Sequence, residues 1–394
     1  MATFIGIGLS QEPNISEAAI QAATQAKEQI PHSPVDLAVV LTTSHYNPIE
    51  TILNVRKILP QAKTIGCSTA GIILSEMISM RGVGVLAIAS DEMKFGIGAN
   101  SGLTSQDLRQ AGITLAQNAI NDFGHLRRAA FITLFDGAIH DNSSVIKGLN
   151  EVLGNVFPIF GAGSSNTSHY QKTYQYFQDK VMSDSAVGLI VGGQVRVGFG
   201  CKHGWKPLGK PRTVDGINGH TIKTIDNKRA FSIYEEYFPN EMKNVKQAQL
   251  EQLVIRYPLG IFLEEEKEYI LRNAVDILKD GSIVCQGETP LGSEVHIMIG
   301  NKESCRQAAI AAATEARQGL EGQPKLVLII DSLGRHKLQN RWAFREIQAI
   351  KGILGHNTPI FGMYSNSEIA PSKLGEKIGR THLQNESIII LAIE

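Results

Sequence analysis

At 394 residues, with 43% apolar and 19% charged side chains, the chain has the composition of an ordered globular protein and enough length for two domains. Its 38 basic and 38 acidic residues cancel to a formal charge of zero, so nothing provides the basic stripe of a nucleic-acid binder. No run approaches a membrane span, the Met1–Gly6 start lacks a signal-peptide pattern, and the four cysteines (67, 201, 285, 305) show no C-x-x-C pair or metal-finger spacing; reduced thiols in the cytoplasm are the expectation.

In chain order, Thr3 to Gly8 reads as a strand, and Ser16 to Ile30 as a helix with Ala19, Ala23, Ala26 and Ile30 on one face. The apolar run Leu37 to Leu41 is a buried strand, and the polar loop Thr42 to Pro48 leads into a helix carrying Ile49, Ile52, Leu53 and Ile58 that Pro60 ends. Ile65-Gly66-Cys67-Ser68-Thr69-Ala70-Gly71 follows, an apolar run that stops on glycine and opens into small polar residues. A strand from Val83 to Ala89 closes this first unit.

The same order recurs. Met93 to Gly98 is strand-like, Thr104 to Phe123 is helical, and Ala130 to Phe135 is a buried strand followed by the loop Asp136 to Asn142. A second helix reaches Pro158-Ile159-Phe160-Gly161-Ala162-Gly163-Ser164-Ser165-Asn166, and Ala186 to Val191 closes the unit. A third unit begins near Val295, with a helix over Ser304 to Leu320, a strand over Leu326 to Ile330, the loop Asp331 to Asn340 and another helix. It then repeats the handover from strand to loop as Pro359-Ile360-Phe361-Gly362-Met363-Tyr364-Ser365-Asn366-Ser367, before a last strand at Ile388 to Ile393. Apolar strands alternating with amphipathic helices predict an α/β fold of repeated strand-helix-strand-helix-strand units forming helix-covered sheets. An antiparallel insert of about 100 residues (196–294), with one helix near Ala230 to Tyr237, is expected between the second and third units. The expected division is 1–210 and 211–394.

Ligands of such sheets collect beyond the carboxyl ends of the strands, which directs attention to the handovers and to the loops after each central strand. Those loops place His45, His140 and His336 shortly past the strand of each unit, a pattern that suits either a three-histidine metal site or ordinary helix capping. Cys67, flanked by Gly66 and Ser68, is either a thiolate nucleophile activated by backbone amides or a small residue at a tight turn. Neither the Cys67 handover nor Gly161-Ala162-Gly163-Ser164 has G-x-S-x-G or phosphate-loop spacing, so a catalytic serine is not supported. Small hydroxyls and exposed amides suit recognition of a small zwitterion: Ser68, Thr69 and Ser164 among the hydroxyls, Arg335 for a carboxylate, Glu368 for an ammonium group. His203-Gly204-Trp205 offers a titratable ring and an aromatic wall, or simply a tryptophan packed on a hairpin.

Several of these segments together resemble the FIST proteins (F-box and intracellular signal transduction). The likeness runs through Ile65 to Gly71, Phe160 to Gly163, Tyr174 to Phe177 and His203-Gly204-Trp205-Lys206-Pro207 in the first part. It continues through Tyr257-Pro258-Leu259-Gly260, Thr289-Pro290-Leu291-Gly292, Gly334-Arg335, Glu368-Ile369-Ala370-Pro371 and the closing Asn385-Glu386-Ser387. The resemblance implies a FIST N part followed by a FIST C part, forming a non-enzymatic sensor of small ligands such as amino acids. With FIST-like sequence from end to end, the signal is expected to pass in trans to a histidine kinase or a cyclic-dinucleotide enzyme. Some members resemble haem proteins that sense nitric oxide; for haem the candidate axial ligands here are His203, His296 and His382. The chain departs from the family pattern at Ile72 and Ile73 (usually Glu), Ser165 and Ser367 (usually Gly) and Ser332 (often Cys). The expected ligand site thus comprises Cys67, Ser68, Thr69, Asp136, Gly161, Gly163, Ser164, His203, Trp205, Arg335, Tyr364 and Glu368. A thiol enzyme using Cys67 is the reading from a different class.

Overall fold

The repeat becomes three copies of one four-stranded sheet, each covered outside by two helices. A computed structural model of the protein describes residues 2–31, 34–139, 142–166, 172–241, 253–254, 256–374 and 377–394. In the first copy the order across the sheet is Thr3–Ser10, Val83–Ser90, Leu37–Thr42, Lys63–Ser68. Only the pair Leu37–Thr42 and Lys63–Ser68 is parallel. The crossover between them is the helix Pro48–Ile58, which starts where the Asn47 side chain accepts the Ile49 and Glu50 amides and Pro48 takes the first helical position. The second copy repeats this with Met93–Ser101, Ser185–Gly193, Arg128–Phe135 and Ile159–Gly163, and the third with Val197–Lys202, Ile388–Ile393, Leu326–Ser332 and Ile360–Ser365.

The third copy therefore opens at Val197, not near Val295. The strand Glu294–Ile299 pairs instead with Leu259–Leu263 and Lys206–Asn218 inside the insert. The insert interrupts the third unit after its first strand, before the helix Lys302–Gln318. A Gly-x-Gly pair marks each true opening strand: Gly6 and Gly8, Gly96 and Gly98, Gly198 and Gly200. A Cβ on Gly6 would sit 1.9 Å from the Ala26 carbonyl oxygen, and one on Gly200 2.1 Å from that of Ala312. Strand backbone rests directly on helix backbone there, which is why the facing helices carry buried alanines.

After each handover strand the chain leaves its own sheet and adds a hairpin to a neighbour's. Ile72–Leu74 pairs with Ile360–Ser365 of the third unit, Gln175–Phe177 with Lys63–Ser68 of the first, and Glu368–Leu374 with Ile159–Gly163 of the second. The exchange closes a ring and leaves no handover strand as an open edge. Inside the ring the inner faces of the three sheets share one apolar core that includes Leu41, Ile132, Phe160, Phe361 and Leu391. Each outer face packs on its own helices.

The insert forms an antiparallel sheet, with Lys206–Asn218 at its centre and the helix Ser232–Tyr237 against it. Residue 210 lies within that long strand, whose pairing shifts register between Leu208 and Arg212. Among the described residues no helix is long and apolar enough to cross a membrane.

Candidate functional site

The ring brings the three handovers together at the carboxyl ends of the parallel strands, where they bond to one another. The Ser165 amide donates to the Ser68 carbonyl at 3.2 Å, and its hydroxyl accepts the Ala70 amide at 2.9 Å while donating to the Tyr364 carbonyl. The Thr69 hydroxyl reaches the same Tyr364 carbonyl at 2.8 Å, and the Asn366 amide donates to the Gly163 carbonyl at 3.2 Å. Gly161 and Gly163 lie in the strand that receives the exchanged hairpin, close to Thr133 and Ser367. Ser164 accepts from the Gln175 side chain at 2.9 Å, and Ser185 donates to the same amide at 2.7 Å. Thr69, Gly163, Ser164 and Tyr364 thus converge in a buried seam.

Cys67 lies beneath the seam with its sulfur 3.8 Å from that of Met363. Burial pushes its thiol up to about 12, against a smaller opposing effect of a hydrogen bond with Ser164. Of the two readings of Cys67, this environment suits the small buried residue, because the cost of desolvating a thiolate dominates.

The acidic and basic residues singled out from sequence are engaged internally. Asp136 accepts the Thr173 hydroxyl at 2.6 Å, the Ala138 amide at 3.0 Å and the Asp184 amide at 2.8 Å. Glu368, fully buried, accepts from Ser365 and from the Ser387 amide; burial, with the neighbouring Glu386 adding to it, holds its carboxyl well above the usual range. Arg335 is completely buried and bonds Asp331 at 2.7 Å, Glu346 at 2.7 Å and the carbonyls of His203 and Cys305. Burial works against its charge, and the Glu346 and Asp331 carboxylates outweigh that effect. One guanidinium cannot compensate two buried carboxyls, so burial raises both, Asp331 to about 7. Its donors hold the loop to the third sheet and are not presented to a ligand carboxylate.

An open cleft of about 490 Å³ lies where the insert meets the third unit. His203 and Trp205 line it together with Lys202, Lys206, Glu268, Tyr269, Glu303 and Ser387. Lys202 spans the boundary, 2.6 Å from Glu268 of the insert and 3.1 Å from Glu315 of the helix Lys302–Gln318. The His203 ring accepts the Trp205 amide at Nδ1 (2.9 Å); burial, then the Arg335 charge, pushes it down to about 4, while a hydrogen bond with the Tyr269 backbone works the other way. His203 is therefore neutral at physiological pH. Glu303 is held down to about 2 by hydrogen bonds from Arg306 and Gln307 and stays anionic. The Trp205 ring fits because Gly300 has no side chain; a Cβ there would lie 2.7 Å from it. A smaller cavity of about 310 Å³ at the strand ends of the first unit is lined in part by Ser68.

Residues 36–228 match the FIST N domain and residues 230–371 match the FIST C domain. The chain belongs to the FIST family. FIST domains are sensory, signalling-related modules. Among relatives, the uncharacterized protein Rv0628c of Mycobacterium tuberculosis is 21% identical over 378 residues, covering 93% of this chain and 94% of that one. The uncharacterized protein MJ1623 of Methanocaldococcus jannaschii is 22% identical over 310 residues, which cover 74% of this chain and 58% of that protein. Among solved structures, a chorismatase aligns at 7% identity with a TM-score of 0.38, covering 100% of this chain and 98% of that one. A cyanuric acid hydrolase from A. caulinodans aligns at 9% identity with the same TM-score of 0.38, covering 99% of each chain.

The motif residues of this FIST chain thus divide between two places. His203 and Trp205 border the cleft; Thr69, Gly163, Ser164 and Tyr364 form the seam, with Cys67 beneath it; and Ser68 borders the smaller cavity. Sequence reasoning missed Lys202, Glu268, Tyr269 and Glu303. Lys202 adjoins the His203 motif and was within reach, whereas Glu268 meets the cleft only through the fold of the insert. The donors do not fit a haem. Nδ1 of His203 already accepts a backbone amide, and His296 and His382 have Nε2 against Glu294 at 3.1 Å and Glu266 at 3.2 Å. The cleft beside His203 places Lys202, Lys206, Glu268 and Glu303 among its lining residues, where a porphyrin face requires apolar contact. His45 lies at the strand ends of the first unit and His336 packs on Tyr364 in the third, with ring centroids 4.4 Å apart; His140 lies outside the described residues. Among the described residues no group of three His, Cys, Asp or Glu side chains is arranged to hold a metal ion.

Proposed function

We propose that this FIST chain is the ligand-binding sensory component of a bacterial signalling pathway, working in the cytoplasm on a small zwitterion of the amino-acid type. The observation that carries the reading is the cleft beside Trp205, which gathers fixed charges of both signs, Lys202 and Lys206 with Glu268 and Glu303, around an aromatic wall. A ligand ammonium pairs with Glu303, and the ligand carboxylate with Lys206 and Lys202. Neutral His203 and the Trp205 ring receive the apolar part.

Lys202 ties the insert to the third unit through Glu268 and Glu315, so a ligand carboxylate that competes for it loosens that tie. The altered boundary is the surface a partner reads in trans, a histidine kinase or a cyclic-dinucleotide enzyme in this proposal. Isothermal titration of the full chain with a panel of amino acids tests it. The expected result is binding by at least one member, weakened roughly tenfold or more by Glu303→Gln and by Lys206→Met. No heat with any member removes the amino-acid reading.

A further inference from the structure

We propose that the cavity at the strand ends of the first unit is a second ligand site, taking a small hydroxylated organic anion. The argument starts from the threefold repeat. Thr43, Asp136 and Ser332 are equivalent: each amide, at or one residue past the end of a central strand, donates to a carbonyl at or just before the start of the closing strand, at Gly82, Ser185 and Ser387 respectively. The three strand ends are then completed differently. In the second unit Asp136 binds Thr173 and two backbone amides. In the third, Ser332 caps the helix Leu333–Gln339, and that helix carries Arg335 into its buried ion cluster. In the first there is neither a carboxylate nor an arginine, and a cavity of about 310 Å³ stands in the corresponding place.

Its chemistry is one-sided. Thr42, Thr43, Ser68 and Tyr176 form a buried hydroxyl floor, and His45 and Lys172 stand exposed at the rim. Among the described residues no aspartate or glutamate contributes to the wall. The Tyr46 hydroxyl beside it is buried and without a hydrogen-bond partner among the described residues. The Lys172 ammonium over a hydroxyl floor selects an oxyanion that also carries hydroxyl groups, and the site disfavours the zwitterion proposed for the other cleft, whose ammonium would find no carboxylate among the described residues. The volume admits about ten non-hydrogen groups at the ~30 Å³ that each water-sized group occupies. That is the size of a three-carbon hydroxy acid or its phosphate ester. Carboxylate and phosphate share the recognition chemistry, and the experiment separates them.

The test is titration of the full chain with glycerol 3-phosphate, glycerate and neutral glycerol. Binding of at least one anion, with glycerol inert, supports the site; whichever anion binds identifies the head group. Lys172→Met, an exposed position that leaves the core untouched, should weaken binding roughly tenfold, and His45→Gln by a smaller factor. Lys202→Met, in the other cleft, should leave it unchanged. Absence of heat with both anions, equal affinity for glycerol, or loss through Lys202→Met in place of Lys172→Met would overturn the proposal. Since the amino-acid panel and its variants probe a different cleft, either reading can fail without the other.

Discussion

The Ser165 hydroxyl donates to the carbonyl of Tyr364, a residue 199 positions away in the chain, and simultaneously accepts the amide of Ala70. One side chain thereby ties the second handover to both the first and the third.

Replacing Ser165 with alanine leaves the buried Ala70 amide without its partner, while the Tyr364 carbonyl keeps the Thr69 hydroxyl. A stability loss of about 1–3 kcal/mol is expected, and Ser165→Gly should lose at least as much because it also frees the backbone of the unfolded chain. Denaturant unfolding measures both. If the glycine variant is as stable as the parent, the hydroxyl bridge contributes nothing.

Arg335 should prove structural. Arg335→Met leaves Asp331 and Glu346 buried without their cation, which costs about 3–5 kcal/mol. Arg335→Lys keeps the charge but cannot span both carboxylates and two carbonyls, so only part of the loss is recovered. A change below about 0.5 kcal/mol for the methionine variant, the scale of a surface substitution, would contradict the ion cluster described above.

Glu368 gives the fold a pH dependence of defined sign. Its folded-state pKa is raised, by burial first and then by repulsion from Glu386 and Asp331. Between the unfolded and the folded value the native state therefore holds a proton that the unfolded chain has lost. The stability it contributes is complete below the ordinary carboxylate range and is lost as pH rises toward the raised value. Glu368→Gln cannot titrate, so its stability relative to the parent should improve from pH 5 to pH 8, by at most about 1.4 kcal/mol per pH unit. Parallel stability curves for the two proteins over that range would show that Glu368 does not titrate there.

Local pattern carried a large part of the architecture. Continuous apolar runs such as Leu37 to Leu41 and Leu326 to Ile330, alanine-striped helices and glycine-ended handovers identify the units, because strand and helix periodicity depend on neighbours in sequence. The opening strand of the third unit was also legible, through the Gly198-Phe199-Gly200 pattern shared with Gly6-Ile7-Gly8 and Gly96-Ile97-Gly98, once a strand resting on helix backbone is considered. The motif residues His203 and Trp205 border the cleft, whereas the sequence directs attention to the handovers and the loops after the central strands.

What sequence alone determined about this protein is therefore the repeated unit, the family and the list of small and polar residues at the strand ends. Only the tertiary structure decided how those residues are used. Exchange of hairpins between sheets brings Ser165 to Tyr364 and Cys67 to Met363, contacts that no local period encodes. Burial, a property of the whole assembly, raises the Cys67 thiol and the Glu368 carboxyl and turns Arg335 inward to Asp331 and Glu346. The same residue types on a solvent-facing loop would have kept their ordinary charge, because desolvation acts only where the fold removes water.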